Sequence, residues 1–437
     1  MDTATMSPTG SELTELIGQL ESQIKINQRL VSEILTELIQ EKNNAGAIDS
    51  DLNTFLAQMI GENKQAETEH ASLDVSHLFT QLIKEKINSG TSSAEIMAFL
   101  SQIMDQTKQK NLTAAEVSAL WLQYLGDSMA VCVYKYFLSI VENEQIKPIL
   151  QFALQLAESH LVKISGFLKS ANFQVPVGFT EQDVNLKAPR LFSDAFLLFY
   201  SNMMTIHGLT AYSLAVTNSE REDIQNYFFE CTVQSKQLFQ KIMNVARNQP
   251  EFSSVPSVPS PHGTEFMDSA GIISNLFGDK RPLNTSEITS LFFNAKKTGF
   301  IRSLSLAFSQ VAGLDDVRKF MLKNVKLAGE DADSFAAILE KDDLPIPERW
   351  DSDITDAKVS PFSDKLMIFH AAFLVNAALS YYGAALGSSL RSDIIVNYKI
   401  VFSHAMEAGA LCFKIMVKHG WLEKQPEAAD RKALVKS

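Results

Sequence analysis

The sequence predicts an all-helical protein in which two tandem four-helix bundles follow a pair of shorter helical hairpins. Three observations support this fold class. Pro and Gly are scarce, at 13 and 19 of 437 residues, whereas an all-β chain would need turn residues about every 8–12 positions. Two internal duplications divide the chain into repeated units. Each unit contains long segments with helical apolar periodicity that begin and end at capping residues.

The composition excludes two classes of protein. Hydrophobic residues make up 46% of the chain, which rules out disorder throughout. The formal net charge of −12 argues against a nucleic-acid-binding protein, because such binding depends on Lys and Arg that neutralise phosphates.

The three cysteines, Cys132, Cys231 and Cys412, show neither a disulfide framework nor zinc spacing, and favour a reducing compartment. The first ten residues lack a basic and an apolar stretch, so no signal peptide is predicted.

The first 111 residues differ from the rest of the chain. They contain 16 Asp and Glu against 8 Lys and Arg, and no Trp, Tyr or Cys. Within them, 38–42 is repeated as 82–86 and 55–58 as 99–102, at a constant offset of 44, with a Gly between the matched segments. Gly suits the position that follows a helix C-terminus. The sequence therefore predicts an acidic N-terminal region with two αα-hairpin repeats.

A second, larger duplication covers the remainder of the chain. Residues 112–117 match 283–288 at an offset of 171, and 192–194 match 362–364 at an offset of 170. Four prolines and several serines between 250 and 261 have the composition of a linker. The predicted domains are the N-terminal region at 1–111, a first four-helix bundle at 112–248, a Pro/Ser-rich linker at 249–282, and a second four-helix bundle with its tail at 283–437.

Each large copy predicts four helices with one long connection. We place the helices near 113–141, 144–171, 191–216 and 220–247 in the first copy, and near 284–311, 314–340, 362–387 and 390–419 in the second. The connection between the second and third helix is Pro-rich in both copies. Four helices with one long crossover form the ferritin-like variant of the bundle.

The third helix of each copy is the most apolar, since 195–219 and 366–390 contain no Asp, Glu, Lys or Arg. Their length would allow a membrane span. However, both contain several polar residues and neither has a basic cluster at one end. We expect both to be buried central helices. The alternative is a membrane-associated protein, and solubility without detergent would distinguish the two.

Repeated serines occur where the third and fourth helices are predicted to begin. Ser193 and Ser363 precede the third helices, and Ser219 and Ser389 precede the fourth. Serine is a favoured N-cap, because its hydroxyl accepts a hydrogen bond from a backbone N–H of the first turn. The pattern therefore predicts four N-caps.

The same ends contain charged residues that recur between the copies. Asp194 and Arg221 lie at opposite ends of one predicted bundle, and so do Asp364 and Arg391. If the copies pack around a pseudo-two-fold axis, these charges could pair across it. This hypothesis joins Asp194 to Arg391 and Asp364 to Arg221.

No catalytic, cofactor-binding or metal-binding residue is predicted. A di-metal site in a ferritin-like bundle requires Glu-x-x-His, because residues i and i+3 share a helical face. The one such motif, Glu67 to His70, lies between the small hairpins. His160 lies on an apolar stripe, its counterpart in the second copy is Asp331, and we interpret it as a core residue. Dinucleotide-binding, phosphate-loop and nucleophile-elbow motifs are absent from the sequence.

Six motifs occur in order in the large copies, at 147–150, 178–185, 188–194, 278–284, 361–367 and 420–423. Together they resemble an uncharacterised tandem-bundle family of endospore-forming bacteria that is distantly similar to spore coat protein F. The resemblance covers about 112–432 and implies a pair of ferritin-like four-helix bundles. It also implies a coat-like or sporulation-associated role, without an activity or catalytic residues to carry over. Residues 1–111 lie outside the family pattern.

We therefore expect a non-enzymatic helical protein with a structural or interaction role, spore-coat-like or sporulation-associated. The alternative is a ferritin-like metal-binding oxidase or storage protein with an atypical site. Expected partners are proteins, either other coat proteins or further copies of this chain. Nucleic acid, a membrane span, a cofactor and a small-molecule ligand are not expected. The expected location is the mother-cell cytoplasm or the spore coat.

Overall fold

A computed structural model describes residues 111–247 and 280–431, with short stretches between 249 and 266. The chain divides into two compact units, Met1–Asn111 with Ser170–Asn172, and Leu112–Lys169 with Phe173–Ser437. The predicted N-terminal hairpins and most of the predicted linker lie outside the described residues. The described residues lie almost entirely in the second unit.

Eight α-helices form the described part of this unit, four in each half. The first half contains α1 (Ala114–Ile140), α2 (Lys147–Ser170), α3 (Asp194–Asn218) and α4 (Glu222–Ala246). The second contains α5 (Thr285–Val311), α6 (Asp315–Glu340), α7 (Asp364–Ser388) and α8 (Ser392–Lys418). Each half has a long connection between its second and third helix, with one 3₁₀ turn at Glu181–Asp183 or Asp351–Asp353. The predicted all-helical fold with two similar four-helix halves is confirmed.

Two of the four predicted serine caps are present. Ser193 accepts a hydrogen bond from the N–H of Phe196, and Ser363 accepts one from the N–H of Leu366. The prediction for Ser219 and Ser389 is wrong, because both residues end the third helices and their hydroxyls bond back to the carbonyl four residues earlier.

In each half a buried glutamate of the first helix binds the backbone just before the fourth helix. Glu116 of α1 accepts hydrogen bonds from the N–H groups of Glu220 and Arg221, just before α4. Glu287 of α5 makes the equivalent bonds before α8. These carboxylates bind the last two amides before each fourth helix, and the fourth helices begin after Arg221 and Arg391 without a side-chain cap.

The two halves meet through their long connections, which exchange equivalent contacts. Ser193 Oγ lies 2.6 Å from Asp353 Oδ1, and Ser363 Oγ lies 2.7 Å from Asp183 Oδ1. Two isolated antiparallel bridges, Val184 with Phe362 and Phe192 with Ile354, follow the same reciprocal pattern. Because each contact recurs with the halves exchanged, the halves are related by a pseudo-two-fold axis.

This axis runs along the third helices rather than across them. Tyr200 OH of α3 lies 2.7 Å from His370 Nε2 of α7, and these are equivalent positions 170 residues apart. Further along in the same direction, His207 Nδ1 lies 2.9 Å from Tyr381 OH. The two helices therefore run side by side with their N-terminal ends together.

The hypothesis that joined Asp194 to Arg391 and Asp364 to Arg221 is consequently wrong. An axis parallel to the third helices places both aspartates at one end of the unit and both arginines at the other. Asp194 instead pairs with Arg190 at 2.8 Å, and Asp364 accepts from the backbone before α6. Arg391 pairs with Asp342 and Asp393, and Arg221 pairs with Asp223.

The hydrophobic core is continuous between the halves. Phe199 of α3 stacks on Trp350 of the second long connection, with 4.2 Å between ring centroids. Phe196 stacks on Phe300 of α5 at 5.9 Å. Aromatic side chains contribute the largest apolar area per residue, so these contacts fix the two halves against each other.

Candidate functional site

Each half contains a histidine–aspartate pair within its bundle. In the first half, His160 Nδ1 of α2 lies 3.2 Å from Asp127 Oδ2 of α1. Its Nε2 lies 3.0 Å from Gln234 Oε1 of α4. The rings of Tyr212 and Tyr227 pack edge-on against the imidazole. His160 and Asp127 are both buried, so this pair links three helices in the core.

The second half contains the same chemistry on different helices. Asp331 of α6 occupies the position equivalent to His160, and its Oδ1 lies 2.7 Å from His404 Nδ1 of α8. His404 in turn occupies the position equivalent to Gln234. The second helix therefore carries the histidine of the pair in the first half and the carboxylate of the pair in the second half.

Burial and pairing act in opposite directions on the pKa values of these pairs, and burial raises the pKa of Asp127. Burial alone would lower the pKa of His160, but its contacts with Asp127 and Cys231 raise the pKa to about 11. Burial raises the pKa of Asp331 to about 6, against the opposing effect of His404. In the part of the chain that the structure describes, no group of three or more His, Cys, Asp or Glu is placed to hold a metal ion. We interpret the pairs as polar links between helices.

A buried lysine lies beside the contact between the halves. Lys297 of α5 is 0% exposed, and its Nζ donates to Asn294 Oδ1 at 3.0 Å. The amine lies 4.1 Å from the ring centroid of Tyr382 and 4.9 Å from that of Tyr381. Burial lowers the pKa of Lys297 well below its usual value. The pKa of His207 is lowered to about 3, because the imidazole is buried and lies near Lys297. Both groups are therefore favoured in their neutral forms.

The outward face of α8 exposes several large apolar side chains, with polar residues such as Lys399, Ser403 and Glu407 among them. Five large side chains along it are each 50–64% exposed: Val396, Ile400, Met406, Phe413 and Val417. By length and composition alone, α7 and α8 could cross a membrane, but only 28% of the apolar window of α8 is buried, against 50% for α7. Much of the apolar surface of α8 therefore lies outside the core.

The equivalent face of α4 in the first half is different. The five corresponding positions are Asn226, Glu230, Lys236, Met243 and Arg247, four of which are polar. Because the two halves share one architecture, the fold itself does not require an apolar surface here. Apolar side chains at these five positions are therefore specific to the second half, although α4 exposes Phe229 and Val233 at other positions.

The structure places the sequence-predicted residues as follows. His160 lies in the core, as interpreted from its apolar stripe, and Glu67 and His70 lie outside the described residues. Sequence reasoning missed the Asp331–His404 pair and the exposed face of α8. A comparison of the outward positions of the two copies, which are polar in α4 and apolar in α8, could have found that face.

Comparisons with known proteins follow the same division into halves. A family model described as "Protein of unknown function (DUF3231)" matches the chain twice, at residues 101–263 and 271–434. No curated protein matches the chain. A crystal structure from Bacillus halodurans C-125, described as a "putative spore coat protein", shares 19% identity, covers 36% of this chain and 99% of that chain, and has a TM-score of 0.30. With both of its halves matched, the chain belongs to the DUF3231 family of proteins of unknown function.

Proposed function

We propose that this protein is a non-enzymatic structural or interaction protein with a coat-like, sporulation-associated role, located in the mother-cell cytoplasm or the spore coat. The observation that carries the proposal is the exposed apolar face of α8. Contiguous exposed apolar surface marks sites that bind other proteins or membranes. The motifs that resemble the family of endospore-forming bacteria supply the biological setting.

The face lies on a helix that is held firmly in place. Three polar side-chain contacts join α8 to α6 along its length, namely Asp331 with His404, Lys323 with Glu407, and Asp316 with Lys418. A surface that is ordered before binding loses less conformational entropy when a partner docks. This arrangement supports a docking role for the outward residues of α8.

Fractionation of sporulating cells tests the proposal. We expect the wild-type protein to be extracted with the coat material of intact spores. Phe413→Asp places a charge in the C-terminal half of the α8 face and should shift the protein to the soluble fraction without changing its total amount. The matched control is Phe229→Asp on α4, where the original side chain is similarly exposed at 62%; it should leave the distribution unchanged. Abundance in growing cells together with absence from spores would contradict the proposal.

A further inference from the structure

We infer that the outward face of α8 binds the same face of a second copy of this chain, with the two α8 helices antiparallel around a two-fold axis. This inference rests on the proposed function, since it names the partner of the surface described above. Interfaces between identical chains most often have this symmetry, in which one patch is complementary to itself. The residues of α8 meet that condition.

The most exposed part of the face is a single stripe. Met406, Ala410, Phe413 and Val417 follow each other at spacings of four, three and four residues, which places them on one side of an α-helix. All four are exposed, and the stripe extends along roughly 16 Å of the helix at 1.5 Å per residue. It is therefore long enough to form a helix–helix contact.

The stripe is complementary to itself in one antiparallel register. If the symmetry axis passes midway between positions 411 and 412, Met406 of each copy lies opposite Val417 of the other. The ring of Phe413 then lies beside the small side chain of Ala410 of the second copy. Such alternation of large and small side chains lets two helix surfaces interdigitate.

The charges beside the stripe are complementary in the same register. Glu407, whose carboxylate also contacts Lys323 of α6, and Lys414 are exposed, and their spacing of seven residues places them on the same flank of the stripe. Antiparallel packing brings Glu407 of each copy to within about two residue steps, roughly 3 Å along the axis, of Lys414 of the other. The symmetry forms this opposite-charge contact twice.

The equivalent surface of α4 lacks this complementarity. The positions that correspond to Met406 and Val417 are Lys236 and Arg247, which would bring like charges together. The charged pair itself is replaced by Gln237 and Asn244. We therefore expect association through α8 only. Because four side chains cover less than the roughly 800 Å² per partner of a stable interface, this association should be weak and concentration-dependent.

Sedimentation velocity from micromolar to millimolar protein tests the inference on the full chain. The wild type should form a reversible dimer. Phe413→Asp, Glu407→Lys and Lys414→Glu should each raise the dimer dissociation constant by roughly tenfold, equivalent to about 1.4 kcal/mol. The Phe229→Asp control should dimerise like the wild type, and circular dichroism should show that every variant is folded.

Mixing the two charge variants gives the decisive readout. A Glu407→Lys chain and a Lys414→Glu chain should each dimerise poorly alone but form a heterodimer together, because mixing restores opposite charges at both contacts. A wild type that remains monomeric, a dimer that Phe413→Asp leaves intact, or no gain on mixing would overturn the inference. If the chain does not dimerise but its association with the coat still depends on Phe413, the inferred dimer is wrong, and the proposed function holds with a different partner.

Discussion

Replacement of Lys297 by Met should make the protein more stable at neutral pH. The lysine is 0% exposed, and its amine donates a hydrogen bond to Asn294. Burial lowers its pKa well below the usual value, so the folded state binds this proton less readily than the unfolded chain. In the window between the two pKa values the unfolded state holds more protons, and the free energy of unfolding therefore rises with pH.

The expected magnitude follows from this linkage. Stability of the wild type should rise by up to about 1.4 kcal/mol per pH unit through the window, and Lys297→Met should lack this slope. At pH 7 we expect the variant to gain about 1–3 kcal/mol, because the buried amine makes fewer hydrogen bonds than it would in water. From pH 7 to pH 9 the advantage should shrink by up to about 3 kcal/mol.

Urea unfolding at pH 7 and pH 9 provides the measurement. The matched control is Lys296→Met on the adjacent, partly buried lysine, whose pKa burial also lowers and which lies over the rings of Phe199 and Phe252. It should show a smaller gain in stability. A Lys297→Met protein that is less stable than the wild type at pH 7, or that keeps the wild-type pH slope, would refute this reasoning.

Three further predictions concern contacts that recur in or join the two halves. Glu116→Gln should lower the free energy of unfolding by about 1.5–3 kcal/mol at pH 7. Burial would raise the pKa of Glu116, but backbone donors lower it overall. The carboxylate therefore contributes less stability as the pH falls through its pKa in the folded protein, and the loss caused by Glu116→Gln should shrink there. Tyr200→Phe should cost about 1–3 kcal/mol in urea unfolding, because His370 would lose its Nε2 partner in the core. Ser193→Ala should cost about 1–3 kcal/mol in thermal unfolding, because it removes a helix cap and the bond to Asp353.

Each of these predictions has an outcome that would contradict it. A pH-independent loss for Glu116→Gln would mean that the carboxylate charge is not what holds the amides before α4. No loss for Tyr200→Phe would mean that His370 has another partner in the core. No loss for Ser193→Ala would mean that neither the cap nor the bond to Asp353 stabilises the fold, and Ser363→Ala, which removes the equivalent cap and bond, should cost a similar amount.

The helices could be predicted from the sequence because their signals are local. Apolar periodicity and the caps at Thr113, Ser193 and Ser363 fix where a helix begins, whatever it packs against. Ser219 carried the same local signal, but Glu116, about 100 residues earlier, occupies the amides that follow it. A tertiary contact of this kind is not encoded in the spacing of neighbouring residues.

The contacts within and between the halves could not be predicted from the sequence, because they also depend on how the helices pack. The duplication indicated that two similar halves exist, but not the direction of the axis that relates them. That direction decides whether Asp194 meets Arg391 or lies far from it. The exchange of His160 for Asp331 was visible in the aligned copies, yet the partners Asp127 and His404 lie on helices that only the packing brings close.

The contact between Tyr200 and His370 has a consequence for how such a protein can diverge. In a homodimer of a single bundle, a position beside the two-fold axis would face its own copy, so a tyrosine there would meet another tyrosine. Joining both copies in one chain lets the two positions change separately, and a hydroxyl can then pair with an imidazole. Covalent linkage also gives the halves a fixed effective concentration for each other. Dilution should therefore dissociate a contact through α8 while leaving the contact between the halves intact.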